Sequence, residues 1–355
     1  MYFWKKLFFK RMSKFNLLKI ISVDKITAES VSLSFEVPKQ IKNNYNFIPG
    51  QYLTLELEIN NLKVRRSYSI CSGPDEILKV GIKKVPKGIF SSYVLENVKA
   101  GDLIHVGVPE GKFTYHPTVN DQIITGIAAG SGITPILSIA KSVISANKKN
   151  EFRLVYGNKS VKDEMFSLEI TKLKNLYPDQ LKVVNIYSQS NEKESLFGRI
   201  DESIINYYET RYGLADKYFI CGPEKMIHSV SDVLFKKNIL KENVFFELFK
   251  TNTQKLSKSN NTENSKLDII YEGIKHELNK SSGKTVLEAA LESDIDVPYS
   301  CQGGVCSSCI AKVVEGSVTM KTNQILTDEE VSEGLILTCQ AESSGKYLKV
   351  DFDNV

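Results

Sequence analysis

The sequence predicts a multidomain chain of mixed β and α/β class: a small antiparallel β-barrel, a doubly wound parallel sheet, and a short third unit of strands and one helix. Three observations carry this. Short strand-like stretches broken by Gly and Pro fill the first third of the chain. Strands alternate with helices through the middle, as in a parallel sheet covered on both faces. A polar stretch at 251–266, with one apolar residue in sixteen, then isolates a Cys- and Gly-rich tail. With 355 residues, of which 42% are hydrophobic, each unit can bury its own core.

Residues 1–14 form an N-terminal extension, basic and aromatic over Met1 to Met12. Its apolar run is too short for a signal-peptide core and no small-residue cleavage site follows, so the chain is expected in the cytoplasm. Weak membrane-surface contact is the most this extension suggests, because no stretch reaches the ~18 apolar residues of a membrane span. Residues 15–117 read as the barrel: alternation over 17–37 and 51–59, a turn at Pro49-Gly50, and shorter strands at 67–71, 78–85 and 103–108. Residues 118–250 read as the parallel-sheet domain, with strands at 122–128, 152–156, 181–187, 217–221 and 244–249 and helices at 135–146, 164–175, 203–208 and 224–236. Residues 251–266 read as a flexible linker. Residues 267–355 form the last unit, with strands at 268–271, 275–278, 310–314 and 348–352 and a helix at 286–293.

The net charge of +4 hides an asymmetry. From Leu267 onward 15 Asp and Glu face 7 Lys, a balance of −8, so the rest of the chain carries +12. A basic body and an acidic tail should attract each other. No basic cluster with interleaved aromatics or reading motif is present, so no nucleic-acid partner is expected.

The strongest signal is Cys301-Gln-Gly-Gly-Val-Cys306-Ser-Ser-Cys309 with Cys339 far behind. The spacing C-x4-C-x2-C…C is that of plant-type [2Fe–2S] sites. Four thiolates must reach two irons from one tight loop and one distant strand. Small residues such as Gly303, Gly304, Ser307 and Ser308 let the backbone come close to the bridging sulfides. A zinc site is the alternative, although such sites usually pair their ligands as C-x2-C twice. Reducing surroundings argue against disulfides.

Arg66-Ser67-Tyr68-Ser69 offers a cation, an aromatic plane and a hydroxyl within one strand, and Arg66 and Tyr68 share a face. Those are the groups a flavin requires for its phosphate, its ring and its reactive nitrogen. Gly88 and Ser91 follow at a helix start, where N–H groups seat an anion. Gly130-Ser131-Gly132 with Thr134 closes one strand and opens a helix, a dinucleotide pattern. Cys221-Gly222-Pro223 follows a later strand at the sheet edge where ligands bind, and Cys221 could touch a nicotinamide or simply pack. Phe249 ends the last strand, where an aromatic could cover a flavin or serve the core.

These motifs in this order, together with Tyr156-Gly157-Asn158, Gly198-Arg199-Ile200-Asp201 and the closing Val350-Asp351-Phe352-Asp353, resemble the ferredoxin–NADP+ reductase superfamily with a C-terminal plant-type ferredoxin domain. The likeness covers about residues 15–353 and is nearest the phenylacetyl-CoA epoxidase reductase branch. It implies an antiparallel flavin-binding β-barrel, a doubly wound nucleotide-binding domain and a β-grasp [2Fe–2S] domain. It further implies electrons passing from NAD(P)H through FAD and the cluster to a partner oxygenase. Carried over by position, Arg66, Tyr68, Ser69, Gly88 and Ser91 would hold FAD. Gly130, Gly132, Thr134, Cys221, Gly222 and Pro223 would bind the nucleotide. Tyr68, Ser69, Cys221 and Phe249 would meet the reacting rings, and Cys301, Cys306, Cys309 and Cys339 would bind the irons. The chain departs from the family where its usual E-R-F reads Glu247-Leu248-Phe249, in its N-terminal extension and in its polar linker.

Lys159, Ser160, Lys162 and Arg199 follow the relevant strands and incline the expectation slightly toward NADPH over NADH, since Asn158 stands where an acidic residue would favour NADH. FMN in place of FAD stays open. So do two other functions: a reductase of a soluble ferredoxin or hybrid-cluster protein, and a non-catalytic iron–sulfur redox sensor.

Overall fold

In the computed structural model, residues 15–249, 265–280, 283–299 and 302–355 are described. The expectations for 1–14, for linker residues 251–264 and for Cys301 lie outside the described residues.

The first sheet is built from β1 (Phe15–Thr27), β2 (Ser30–Glu36), β3 (Tyr52–Ile59), β4 (Leu62–Ser69), β5 (Lys79–Lys83) and β6 (Leu103–Gly107), with helix α1 (Ile89–Asn97) before the last strand. Its order is β4-β3-β6-β1-β2-β5. An Ile70–Val80 bridge and the Cys71 N–H bond to Lys79 O bring the edge strands together into a barrel. The alternation expected as one stretch over 17–37 is two strands joined at Ala28-Glu29. That two-residue turn lacks the Asn-Gly or Asp-Gly signature that marks a hairpin in sequence. The β3–β4 hairpin has the matching chemistry: Asn60 and Asn61 both take positive φ, 54° and 60°. Gly50 is required at its turn, since φ is 102° and an added Cβ would lie 1.9 Å from Phe113 O. Leu18, Leu33, Leu53, Leu55 and Val106 fill the barrel core.

The second sheet is all parallel: β7 (Ile123–Ala129), β8 (Glu151–Asn158), β9 (Leu181–Tyr187), β10 (Leu196–Phe197), β11 (Lys217–Gly222) and β12 (Val244–Leu248), in the order β10-β9-β8-β7-β11-β12. Helices α2 (Ile133–Ala146) and α3 (Ser167–Leu176) cover one face, and α4 (Glu202–Tyr212) and α5 (Glu224–Lys236) the other. Alternate residues of β11 supply the two cores, Phe219 and Cys221 to one and Tyr218 and Ile220 to the other. The α3 helix starts at Ser167, later than its apolar pattern suggests, because 161–163 form a 3-10 turn and Phe166 adopts φ 61°. The α4 helix runs past 208 to Tyr212.

Barrel and parallel-sheet domain share a core, with Cys71, Phe113 and Tyr115 packed among residues of α2 and β8. Lys141 of α2 is buried there and lies 2.5 Å from both Glu76 of the barrel side and Glu169 of α3. The ion pairs raise its pKa against the opposing desolvation.

The third unit begins at Ser265, inside the stretch expected as linker. Strand β13 (Ser265–Tyr271) pairs with β14 (Ile274–Lys280), and Ser265 and Lys266 already sit in the ladder. Helix α6 (Val286–Glu292), β15 (Ile310–Glu315), β16 (Val318–Met320), α7 (Asp328–Ser332), β17 (Leu335–Leu337), β18 (Ala341–Ser343) and β19 (Tyr347–Asp351) complete it. The five-stranded order is β14-β13-β19-β15-β17, with β13 and β19 parallel. Val286, Leu287 and Ala290 of α6 pack on its face, the β-grasp arrangement. Thr285 and Glu288 form a capping box at the start of α6. Among the described residues no helix is long and apolar enough to cross a membrane.

Candidate active site

Three sites converge where the units meet. On β4, Arg66 is exposed and Tyr68 half-buried, and both point to the same face. The Tyr68 ring lies 5.7 Å from Phe90 of α1, so the strand and the first turn of that helix form one surface. Gly88 precedes α1, with no side chain capping the helix start. An added Cβ at Gly88 would come within 2.9 Å of both Ser91 Oγ and Val85 Cβ. Ser91 is buried and its Oγ accepts the Val85 N–H at 3.0 Å, which rigidifies the turn. The uncapped N–H groups of the first turn, near an exposed guanidinium, fit a phosphate group.

Between β7 and β11 the strand order reverses, the place where open α/β sheets bind ligands. Gly130-Ser131-Gly132 leaves β7 there, and Cys221-Gly222-Pro223 leaves β11. The two backbones nearly touch: a Cβ on Gly132 would lie 2.1 Å from Cys221 O, and one on Gly222 would lie 3.3 Å from Ala129 N. Thr134 is buried and its hydroxyl donates to Ser131 O at 3.0 Å. The cradle is thus walled by backbone, which fits a pyrophosphate. Pro223 starts α5 from an extended conformation. Lys159, Lys162 and Arg199 are exposed beyond the strand ends, whereas Ser160 donates to Asp163 at 2.7 Å.

Cys221 is fully buried and sits in register between Ala128 of β7 and Glu247 of β12. Burial, then the neighbouring Glu247, pushes its thiol well above the ordinary range, so it is a protonated, unreactive group. Glu247 is itself buried, its Oε2 meets no hydrogen-bond partner among the described residues, and burial raises its pKa to about 8. An orphaned carboxyl beside a thiol at the sheet edge suits a polar ring edge. Phe249 follows β12 and is 37% exposed.

In the third unit Cys306, Cys309 and Cys339 are buried. Gln340 Nε2 donates to Gln302 O at 3.1 Å and lies 3.5 Å from Cys339 Sγ, tying the loop to the distant strand. Thr338 donates twice to Cys309 O, from N at 3.0 Å and from Oγ1 at 2.9 Å. Gly304 has φ 74°, and a Cβ there would lie 2.9 Å from Thr322 O. No three metal-ligating side chains form a group among the described residues, which exclude Cys301. A tight loop with buried sulfurs and small residues fits a sulfide-bridged cluster in its donor chemistry.

The loop is held against the other two units. Tyr52 of β3, 3% exposed, places its hydroxyl 2.9 Å from Ser308 Oγ and 3.2 Å from Ser307 Oγ. Burial is the main reason its phenol is raised well above its ordinary pKa, with Cys306 adding to it. Arg65 donates from Nε to Glu56 at 2.6 Å and from Nη2 to Asp296 at 2.9 Å, with its guanidinium over the rings of Phe15 and Tyr299. Lys63 reaches Asp296 at 3.5 Å, and Lys112 pairs with Glu330. In each of these pairs with the third unit the cation belongs to the body and the anion to the tail, as the charge asymmetry predicts. Val305 joins the parallel-sheet core, and a cleft of about 130 Å³ remains between Tyr52, Phe113, Phe246, Glu247 and Cys306. Sequence reasoning missed Tyr52, Arg65 and Asp296, and assigned no role to Glu247. Only the alternation of β3 and the charge imbalance hinted at them.

Comparison with known proteins agrees with this organisation. Residues 17–115 match the model of the oxidoreductase FAD-binding domain, 127–232 that of the oxidoreductase NAD-binding domain, and 269–343 that of the 2Fe-2S iron-sulfur cluster binding domain. The chain is 35% identical to a component of 1,2-phenylacetyl-CoA epoxidase from Escherichia coli, over 96% of this chain and 99% of that one. It is 30% identical to the ferredoxin reductase component of 3-ketosteroid-9-alpha-monooxygenase from Rhodococcus rhodochrous, over 95% and 96%. The fold resembles phthalate dioxygenase reductase with a TM-score of 0.62 at 21% identity, covering 95% of this chain and 98% of that one.

Proposed function

The chain belongs to the ferredoxin–NADP+ reductase superfamily, in the branch with a C-terminal plant-type [2Fe–2S] domain, and we propose that it delivers electrons from NAD(P)H to a partner oxygenase of the phenylacetyl-CoA epoxidase kind. FAD, the cluster and a pyridine nucleotide are its cofactors. When bound, the flavin takes electrons in pairs from reduced nicotinamide and releases them singly, which is what a one-electron cluster requires.

The residues divide that work. Arg66 and the first turn of α1 after Gly88 hold the flavin phosphates, with Ser91 bracing the turn. Tyr68 faces the flavin ring and Phe249 covers it until nucleotide arrives, while Ser69 ends β4 on the opposite face, beside Tyr52, and leaves only its backbone to the ring edge. Gly132 lets two backbones close on the pyrophosphate, Gly130 takes the positive φ of the turn and Gly222 leaves room beside it, and Thr134 and Pro223 set the helix starts around it. Cys221 packs in the core beneath the nicotinamide site without ionising. Cys301, Cys306, Cys309 and Cys339 bind the irons. The exposed Lys159, Lys162 and Arg199 favour NADPH over NADH by offering charge to a 2′-phosphate. We place the FAD unit at 15–117, the nucleotide unit at 118–250 and the iron–sulfur unit from 265, and assign the protein to the cytoplasm.

The observation that carries this reading is the seating of Ser307 and Ser308, between two of the proposed ligands, on a barrel strand paired with the flavin strand. Anaerobic titration of the purified protein with NADPH and then NADH tests it. Flavin absorbance should bleach, and a rhombic [2Fe–2S] signal should appear in the EPR spectrum. A colourless protein holding zinc, with neither iron nor sulfide, overturns it. Electron delivery to a purified diiron oxygenase, compared with delivery to a soluble ferredoxin, tests the partner.

A further inference from the structure

The strand pair β3–β4 has two working faces. Tyr52, Thr54 and Glu56 alternate along β3 and stand opposite Ser69, Ser67 and Arg65 of β4. Cross-strand partners share a face, so these six residues form one polar stripe, while Arg66 and Tyr68 lie on the other side. Both ends of the stripe touch the third unit. At one end the Tyr52 hydroxyl meets Ser307 and Ser308, and at the other Arg65 meets Asp296.

We propose that Tyr52 and Arg65 are a two-point clamp that seats the cluster loop on the back of the flavin strand, with Tyr52 the positioning residue for electron transfer between the two domains. The proposal rests on the reading that Cys306 and Cys309 are cluster ligands. One electron leaves the reduced flavin and enters the oxidised cluster. No bond forms or breaks, and the phenol is neither oxidised nor reduced.

The clamp is built to release. Arg65 keeps Glu56 at 2.6 Å when Asp296 departs, so no buried bare charge is left behind. Asp296 is 53% exposed and returns to water at little cost. The hydroxyls of Tyr52, Ser307 and Ser308 can each exchange a protein partner for water. A contact of this kind fixes the loop for internal transfer and still lets the domain leave to meet a large acceptor.

The test uses the full-length holoprotein as wild type, Tyr52→Phe, Asp296→Asn and the double variant, after iron and sulfide have been assayed. Hydrogen–deuterium exchange over 303–308 should rise about three- to tenfold in Tyr52→Phe, the change in equilibrium expected for one ordinary hydrogen bond. In anaerobic stopped-flow, flavin reduction by NADPH should keep its rate while cluster reduction slows, most in the double variant. High salt should erase the difference between wild type and Asp296→Asn but not that of Tyr52→Phe, which a merely structural defect would not do. Unchanged exchange and unchanged cluster reduction in the double variant overturn the clamp. Absence of iron and sulfide overturns the cluster reading instead, and the exchange comparison, which needs no electrons, still decides the clamp.

Discussion

Glu247 is a buried carboxyl whose Oε2 has no hydrogen-bond partner among the described residues, and its behaviour with pH follows from that burial. Its folded pKa, about 8, lies above its ordinary value, so between roughly pH 4.5 and 8 the folded state holds a proton that the unfolded state has lost. This group's contribution to stability is therefore present at low pH and is lost as pH rises through that window. Glu247→Gln should be nearly neutral in urea midpoint at pH 5 and stabilising at pH 9. Gly132 poses a steric question. With Cys221 O 2.1 Å from where a Cβ would sit, Gly132→Ala must push two loops apart. It should cost about 1–3 kcal/mol in urea unfolding and raise the dinucleotide Kd. Gly132 was legible in sequence because its motif is local, whereas Glu247 drew no role there. Tyr52 and Arg65 were not legible, since their partners lie more than two hundred residues away and nothing in a neighbouring stretch names them.

Among the elements, α6 shows how a short helix is secured next to a metal loop. Its seven residues are too few to stand alone, and the Thr285–Glu288 capping box satisfies its first turn. Leu287 N–H also bonds Thr338 O, beside Cys339. Thr285→Ala should lower the melting temperature of the third unit by an amount equivalent to about 1 kcal/mol and speed loss of cluster absorbance in chelator. Strand and helix identities were mostly readable, through alternation in the barrel and apolar runs followed by helices in the parallel sheet. What escaped was punctuation. The Ala28-Glu29 turn carries no turn residues, and Phe166 delays the start of α3 by adopting a left-handed conformation that a bulky side chain gives no reason to expect.

For the whole molecule, the opposed charges of body and tail resolve into named pairs: Arg65 and Lys63 with Asp296, and Lys112 with Glu330. Three of the four side chains besides Arg65 are about half exposed, so salt should screen them. Raising ionic strength from about 0.05 M to 0.5 M shortens the Debye length severalfold. It should slow cluster reduction while leaving flavin reduction at saturating NADPH unchanged, as followed at two wavelengths in stopped-flow. The imbalance was visible in composition, but its geometry needed the fold, because charge totals do not say which carboxylate meets which cation.

Arg65 and Arg66 are neighbours in sequence and point away from each other, one toward the iron–sulfur unit and one toward the side proposed for the flavin phosphates. An insertion or deletion of one residue in β4 would rotate every side chain beyond it by half a turn, handing each arginine the other's environment. Substitutions along this strand can damage one contact at a time, but a frame slip would abolish both together. Length is therefore more tightly constrained here than residue identity, and homologues should differ by exchange rather than by gaps between residues 62 and 69.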